Sequence, residues 1–263
     1  MDLQLKNKCA LVTGSSRGLG YAIARSLALE GCRVAINSRN PRSLSEATQK
    51  LIAETGAEVL PLPGDVGDTL ISETLVQRTT EAFGGLDLLV TNAGGPPAGK
   101  FDAFDDVAWQ KAIDLSLLSH VRLIRAALPY LRKSACPSVV TITSYSVKQP
   151  IPNLVLSNSV RAATVGLTKS LALELGADGI RFNSILPAWT ETERVYELMS
   201  HRAKVNSTSV EEEIARQSKD SALGRMGRPE EIANATVFLL SPAASYITGV
   251  MLSVDGGMYK GTL

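Results

Sequence analysis

A glycine-rich turn between an apolar run and a helical run most constrains what this chain can fold into. Residues 8–20 read KCALVTGSSRGLG. Residues 9–13 are short, mostly apolar and bounded by charge and glycine, which is typical of a fully buried parallel strand. Residues 21–30 have a helical pattern. The chain therefore begins with a strand, a glycine turn and a helix.

The three glycines of this turn suit a phosphate cradle. Gly14 can turn the chain without a Cβ clash, Gly18 leaves bare backbone for a ligand, and Gly20 lets the helix lie close to the sheet. The helix start offers unpaired N–H groups and a positive dipole end to a pyrophosphate. Arg17 and Ser16 favour a ligand with several phosphates, since they reach oxygens that the backbone cannot. A tight turn that binds nothing is the alternative, because the spacing departs from Gly-x-Gly-x-x-Gly.

Bulk properties exclude several classes of protein. The chain has 263 residues, 44% of them apolar and 20% charged, which suits a large globular α/β sheet. A net charge of +1 gives no electrostatic reason to expect nucleic acid or an acidic membrane as a partner. No Cys/His spacing resembles a metal site, and no run approaches the roughly twenty apolar residues of a membrane helix. We expect a cytoplasmic protein that holds no metal.

Strand-like and helix-like runs alternate along the whole chain. The predicted strands are residues 9–13, 33–36, 58–60, 87–90, 138–142, 180–186 and 250–254. This alternation predicts a single α/β domain over residues 1–263, a Rossmann-type doubly wound sheet of about seven mostly parallel strands with helices on both faces. Ligands of such sheets lie beyond the carboxyl ends of the strands. Those ends are residues 14–20, 37–39, 64–66, 92–95, 143–145 and 187–192.

The helical patterns carry local signals of where they begin and end. Asp68 is expected to cap a helix that runs to about Phe83. Pro129 is expected to disturb the last turn of a long helix that ends at Leu131.

Motifs at the strand ends resemble the short-chain dehydrogenase/reductase family, in the style of 3-oxoacyl-carrier-protein reductases. They are TGSSRGLG at 13–20, GDV at 64–66, NAG at 92–94, ITS at 142–144, NSILP at 183–187, ITG at 247–249 and VDGG at 254–257. The resemblance covers nearly the whole chain. It implies an oxidoreductase that moves a hydride between a nicotinamide cofactor and a carbonyl or alcohol. It also implies a homotetramer, with the helix at 155–175 and the C-terminal strand in its interfaces, and a substrate lid at about 190–220.

The resemblance assigns cofactor-binding roles to four of these segments. The pyrophosphate and adenosine ribose would lie against Gly14, Ser16, Arg17, Gly18, Leu19 and Gly20. The adenine would lie between Asp65 and Val66. The ribose and nicotinamide would lie against Asn92, Ala93 and Gly94, and the carboxamide against Pro187, Trp189 and Thr190. Ala188 replaces the glycine that the family usually has after this proline, so the backbone approach there differs slightly.

The end of the second predicted strand indicates the choice of cofactor. An acidic side chain there would bond both ribose hydroxyls and repel a 2′-phosphate. The chain instead has Asn37, Ser38 and Arg39, and Arg17 approaches from the glycine turn. Two guanidinium groups and nearby hydroxyls suit a dianionic phosphate. The sequence therefore predicts NADP(H) in preference to NAD(H); the alternative is that Arg39 is only a solvated charge.

The catalytic positions depart from the family pattern of serine, tyrosine, lysine and asparagine. Ser144 matches the serine, but Ser157 and Arg161 stand at the tyrosine and lysine positions, and Ser116 at the asparagine. A serine hydroxyl is a poorer acid than a phenol. Arg161 stays protonated and cannot relay a proton, although it can bond ribose hydroxyls or an anionic substrate group.

A replacement proton donor follows Ser144 directly. Tyr145 and Lys148 are candidates; the alternative is a loop aromatic that points to solvent and a solvated lysine. Within the lid, Arg194 or Arg202 either lies on a solvated helix face or meets an acidic substrate.

Two functions remain open. The first is an NADP(H)-dependent oxidoreductase whose proton comes from Tyr145, from water, or from Ser157 and Arg161. The second is a catalytically inactive NADP(H)-binding sensor or scaffold. The retained Ser144 and Asn92 favour the enzyme.

Overall fold

The computed structural model describes residues 1–262. Seven strands form one sheet in the order β3-β2-β1-β4-β5-β6-β7. Every neighbouring pair is parallel, which confirms the predicted fold class. The strands are β1 Cys9–Val12, β2 Arg33–Ser38, β3 Val59–Pro63, β4 Leu88–Thr91, β5 Ser138–Ile142, β6 Arg181–Pro187 and β7 Met251–Val254.

Helices fill both faces of this sheet. They are α1 Gly18–Leu29, α2 Pro41–Thr55, α3 Ile71–Phe83, α4 Asp106–Ile113, α5 Ser119–Leu131, α6 Val155–Glu174, α7 Glu193–Asn206, α8 Val210–Asp220 and α9 Pro229–Leu240. A π-helical turn, Asp114–Leu118, joins α4 to α5. No helix within residues 1–262 is both long and apolar enough to cross a bilayer.

The core consists of one apolar layer on each face of the sheet. Ala10 and Val12 of β1 pack in the layer that contains α1 and α9, while Cys9 and Leu11 pack in the layer that contains α3 and α5. Successive strand residues point to opposite faces, so a strand covered on both sides must be apolar throughout. This burial explains why β1 reads as a continuous apolar run.

Two local predictions differ from the structure. α1 begins at Gly18 and not at residue 21, so Gly18 and Gly20 already belong to the helix. Asp68 caps no helix: α3 starts after Leu70, and the backbone N–H of Asp68 closes a turn on the Asp65 carbonyl. Pro129 lies inside α5, which ends at Leu131 as predicted. Only two residues of the helix follow Pro129, so little of α5 depends on the backbone donor that proline lacks.

The parallel order places the functional loops along one edge of the sheet. β1 and β4 are neighbours, so the glycine turn after β1 lies beside Asn92 after β4. β5 and β6 continue the same edge with Ser144 and with the loop after Pro187.

We predict that Gly20→Ala destabilises the fold by about 1–3 kcal/mol, the usual range for overpacking. A Cβ at Gly20 would lie 2.2 Å from the Gly14 carbonyl oxygen and 2.8 Å from the Ser15 Cα. Both are backbone atoms, so relief requires the turn to move. Urea unfolding followed by circular dichroism measures the change.

The matched control is Gly85→Ala in the loop after α3, where a Cβ meets nothing within 4 Å. Alanine leaves the unfolded chain fewer conformations than glycine, so this variant is expected to gain about 0.4–1 kcal/mol. Equal unfolding midpoints for the two variants would contradict the close approach at Gly20.

Candidate active site

The glycine turn is held in place from the neighbouring strand. Gly14 and Gly18 have φ angles of +57° and +58°, in the left-handed region that glycine adopts without strain. The Asn92 side-chain Nδ2 donates to the Gly14 carbonyl at 3.0 Å, and the Asn92 backbone N–H donates to the Thr13 hydroxyl at 3.0 Å. The end of β4 therefore fixes the turn that follows β1.

Two adjoining cavities of about 340 and 780 Å³ lie over this turn, here called the inner and the outer cavity. Both are lined by Gly14, Arg17, Gly18, Arg39, Ala93 and Gly94. The outer cavity adds Ser16, Asp65 and Val66, and the inner cavity adds Leu19, Asn92, Pro187, Trp189 and Thr190. The structure thus brings together every predicted cofactor residue except Gly20, which lines neither cavity and packs beneath the turn.

The residues at the end of β2 offer hydroxyl groups and one guanidinium group to an anion. The Asn37 amide is buried and donates to the carbonyls of Leu62 and Gly64, so it joins strand ends. The Ser16 hydroxyl donates to the Ser38 hydroxyl at 3.0 Å, and both residues line the outer cavity. Arg39 is 75% exposed, and its only ion-pair partner within the described chain is Asp65 at 4.0 Å. This pair is long and solvated, so the Arg39 guanidinium is available to a phosphate.

The first residue of α7 reaches the glycine turn. Arg17 forms an ion pair with Glu193, and both side chains are exposed. Thr192 also lies beside Gly18, since a Cβ at Gly18 would come within 3.6 Å of the Thr192 methyl group. The segment predicted as a lid therefore begins against the phosphate cradle.

Four of the six predicted catalytic side chains line the inner cavity: Ser144, Tyr145, Ser157 and Arg161. The Ser144 hydroxyl accepts the backbone N–H of Ser146 at 3.1 Å, which leaves its own O–H free to donate.

The other two predicted catalytic side chains lie outside the inner cavity. Ser116 is buried in the π-helical turn, and its hydroxyl has no hydrogen-bond partner within residues 1–262. Lys148 is exposed, with its ammonium 5.2 Å from the centre of the Tyr259 ring. The structure therefore does not bring Lys148 to Ser144.

Arg161 is half-buried and held from two sides. Its Nε donates to the Ser157 hydroxyl at 3.2 Å, and its Nη1 donates to the carbonyls of Ile142 and Thr143 at 3.2 and 3.1 Å. Burial, together with the nearby Arg194, lowers the pKa of Arg161 to about 10. The group is charged at neutral pH, and the Ser157 hydroxyl that accepts from it keeps its own proton free to donate.

Tyr145 is buried, which contradicts the alternative of a loop aromatic that points to solvent. It lies between the inner cavity and a third cavity of about 560 Å³ that reaches α7 and α8. Burial raises the pKa of the Tyr145 phenol, against the opposing effects of Trp189 and Arg202. Tyr145 is therefore a weaker acid than a free tyrosine.

The comparison with known proteins decides the family. A family model described as Enoyl-(Acyl carrier protein) reductase matches residues 14–259. Dehydrogenase/reductase SDR family member 4 from Oryctolagus cuniculus is 37% identical, over 96% of this chain and 94% of its own. The chain is a short-chain dehydrogenase/reductase. It is also 34% identical to the 3-oxoacyl-[acyl-carrier-protein] reductase FabG of Chlamydia muridarum, over 98% of this chain and 100% of the relative.

Solved structures of other reductases have the same fold. L-sorbose reductase from Gluconobacter frateurii, complexed with NADPH and L-sorbose, superimposes with a TM-score of 0.95 at 32% identity, over 99% of this chain and 100% of that one. An NADPH-bound short chain oxidoreductase from Pseudomonas aeruginosa PAO1, described as containing an atypical catalytic center, has a TM-score of 0.89 at 30% identity, over 98% and 99% of the two chains.

The sequence did not predict that a histidine is buried beneath the active site of this short-chain dehydrogenase/reductase. His120 in α5 is 1% exposed, and its Nδ1 is 2.6 Å from the Thr91 hydroxyl at the end of β4. Burial, helped by the charge of Arg161, lowers the pKa of His120 to about 3. A lone histidine in a helical pattern gives no signal of such a position.

We predict that His120 makes the protein sensitive to acid. Its ordinary pKa is 6.5, so below that pH the unfolded chain takes up a proton that the folded chain refuses until about pH 3. The free energy of unfolding therefore falls with decreasing pH in this window, by up to about 1.4 kcal/mol per pH unit from this residue. Urea unfolding between pH 7 and pH 4.5 is expected to be less pH-dependent in His120→Asn than in the wild type.

The control is His201→Asn, which removes the other histidine of the chain from an exposed position. It is expected to follow the wild-type pH profile. A His120→Asn profile parallel to that of the wild type would contradict the neutral, buried imidazole.

Proposed function

We propose that this protein is an NADP(H)-dependent oxidoreductase that transfers a hydride between the nicotinamide and a carbonyl or alcohol substrate. One observation carries the proposal: the inner cavity combines a free Ser144 hydroxyl and the Ser157–Arg161 pair with the cofactor loops. Two similar structures support it, since the L-sorbose reductase and the Pseudomonas oxidoreductase were solved with NADPH.

The proposed cofactor site uses backbone and cations. The glycine turn and the N-terminus of α1 would hold the pyrophosphate, because N–H groups and the helix dipole favour anions there. Ser16, Ser38 and Arg39 would hold the 2′-phosphate, with no acid at the end of β2 to repel it. NADPH, when bound, supplies the hydride.

We assign the proton transfer to Ser157, positioned by Arg161. Ser144 would donate a hydrogen bond from its free hydroxyl to the substrate oxygen and orient it, while keeping its proton. The guanidinium of Arg161 faces the Ser157 oxygen, so it favours the anionic form of that oxygen and makes the hydroxyl a better acid. An alkoxide that forms on the substrate can take this proton, which water then replaces. Tyr145 is the second candidate, weakened by its burial.

The substrate lid and the homotetramer remain predictions. Residues 193–220 form α7 and α8, whose inner sides line the third cavity beside Tyr145. α6 exposes small and apolar side chains to solvent, among them Ala162, Ala163 and Leu173, as expected of a helix that packs against a second copy.

A second candidate function is a binding protein without turnover. The observation that favours it is the replacement of a phenol and an amine by Ser157 and Arg161, which leaves the site without a standard proton donor.

We predict that NADPH binds at least tenfold more tightly than NADH, and that Arg39→Gln removes most of this difference. Loss of a charge-assisted contact costs roughly 1.5–3 kcal/mol, which is a tenfold to hundredfold weakening for NADPH and little change for NADH. Titration of nicotinamide fluorescence measures both constants.

Arg78→Gln is the matched control for this titration, because Arg78 is exposed on α3 and lines neither cavity. Tighter binding of NADH than of NADPH by the wild type would contradict the assignment of the 2′-phosphate to Arg39.

We predict that Ser144→Ala lowers kcat for NADPH-dependent carbonyl reduction by about a hundredfold, as removal of an oxyanion donor does. Ser157→Ala is expected to lower it by about a hundredfold, at the lower end of the range for a lost general acid. Tyr145→Phe is expected to stay within about threefold, because its phenol is a weakened acid.

The affinity for NADPH serves as the control, because none of the three hydroxyls lies at the phosphates. A loss in Tyr145→Phe equal to that in Ser157→Ala would move the proton transfer to Tyr145. Normal NADPH binding without turnover of any carbonyl in a broad panel would favour the binding protein.

A further inference from the structure

Resting on the proposed function, we propose that the substrate is a short oxo acid or the corresponding hydroxy acid, whose carboxylate is held between Arg161 and Arg194. The two guanidinium groups would bind the part of the substrate next to the reacting carbonyl.

Two guanidinium groups converge on one point of the cavity wall. The Nη2 atoms of Arg194 and Arg161 lie 3.6 and 3.9 Å from the position that a Cβ would take at Gly95. One arginine comes from α7 and the other from α6, and both line the inner cavity. Two like charges repel each other, so an anion between them is strongly favoured.

Arg161 has donors left over for that anion. Its Nε and Nη1 are used by Ser157 and by two backbone carbonyls, while its Nη2 donates to no atom of residues 1–262. No carboxylate of these residues lies within ion-pair distance of Arg161. The lowered pKa of Arg161 agrees with a cation that lacks a counter-ion.

Arg194 is fixed over the cavity and only loosely neutralised. Its Nη2 donates to the Pro96 carbonyl at 2.9 Å, which ties α7 to the loop after β4. Its ion-pair partner, Glu197, is 3.5 Å away and more than half exposed. Such an exposed pair is weak, so Glu197 does not satisfy the site.

The position of Arg161 and Arg194 limits the length of the substrate. Arg161 Nη1 donates to the Thr143 carbonyl, the residue directly before Ser144. The carboxylate therefore lies close to the hydroxyl that holds the reacting oxygen, which favours 2-oxo and 3-oxo acids over longer ones. Arg17 and Arg39 line the outer cavity as well and are assigned to the cofactor phosphates.

The first experiment compares acids with their methyl esters. With saturating NADPH, kcat/KM is measured for 2-oxobutanoate, 3-oxobutanoate and the methyl ester of each. The wild type is expected to prefer an acid by at least tenfold, and Arg194→Gln is expected to lose most of that preference, while Arg194→Lys keeps part of it. Arg78→Gln on the far surface is the control and is expected to match the wild type.

Three outcomes overturn the proposal. Esters reduced as well as acids leave the proposed function standing and remove the carboxylate site. An acid preference that is unchanged in Arg194→Gln removes Arg194 from it. An Arg194→Gln variant that loses NADPH affinity in fluorescence titration, with its acid preference intact, assigns Arg194 to the cofactor instead.

The second experiment needs no turnover. Binding of oxamate, an unreactive carboxylate, is measured by calorimetry with and without NADPH, against its neutral ethyl ester. We expect oxamate to bind and its ethyl ester not to bind, and we expect Arg194→Gln to bind oxamate at least tenfold more weakly. If NADPH fails to bind in the titration above, the proposed function fails by itself; if oxamate fails to bind to the wild type, the carboxylate site fails by itself.

Discussion

The contact between Asn92 and the glycine turn is the constraint on which the rest of the site depends. A Cβ at Gly14 would lie 2.8 Å from the Asn92 carbonyl oxygen, so backbone meets backbone here without space for a side chain. The Asn92 amide donates to the carbonyls of both Thr13 and Gly14. These contacts convert two loops on neighbouring strands into one rigid floor, against which a ligand of fixed shape can bind.

Buried polar groups beneath these two loops contact the proposed catalytic side chains or influence their charge. His120 is neutral because it is buried, and the charge of Arg161 helps to keep it so. Arg161 in turn is anchored on the carbonyls at the end of β5 and faces Ser157 on its own helix. The charge at the lysine position of the family is thus kept, but it belongs to a group that holds its proton throughout the physiological range.

The fold was largely predictable from the sequence, because the inner strands β1 and β4 are covered on both faces and read as short apolar runs. β5 begins and ends at the predicted residues, since a β-branched run leaves little ambiguity. The cofactor loops followed from the strand ends. The prediction for Asp68 was wrong because its backbone N–H closes a turn on the Asp65 carbonyl, so the chain is not yet helical there.

The site was less predictable where it depends on elements that are distant in sequence. Arg194 meets Arg161 only because α7 packs over the loop after β4, and no local pattern encodes that packing. Lys148 is three residues from Tyr145, yet the short 3-10 turn between them sends it toward Tyr259 and away from Ser144. Sequence spacing gives the neighbours along a helix or strand, but not the direction of a side chain after an irregular turn.

The ion pair between Arg17 and Glu193 links the entry of the cofactor to the helix above it. One guanidinium cannot face a phosphate and the Glu193 carboxylate closely without crowding two anions together. The pair is exposed and therefore weak, so a dianion displaces the carboxylate at small expense in free energy. When Glu193 no longer pairs with Arg17, the first turn of α7 would shift its position, and Arg194 would move with it. Binding of the nucleotide and binding of the second reactant would then be thermodynamically coupled, and such coupling favours ordered addition of the two.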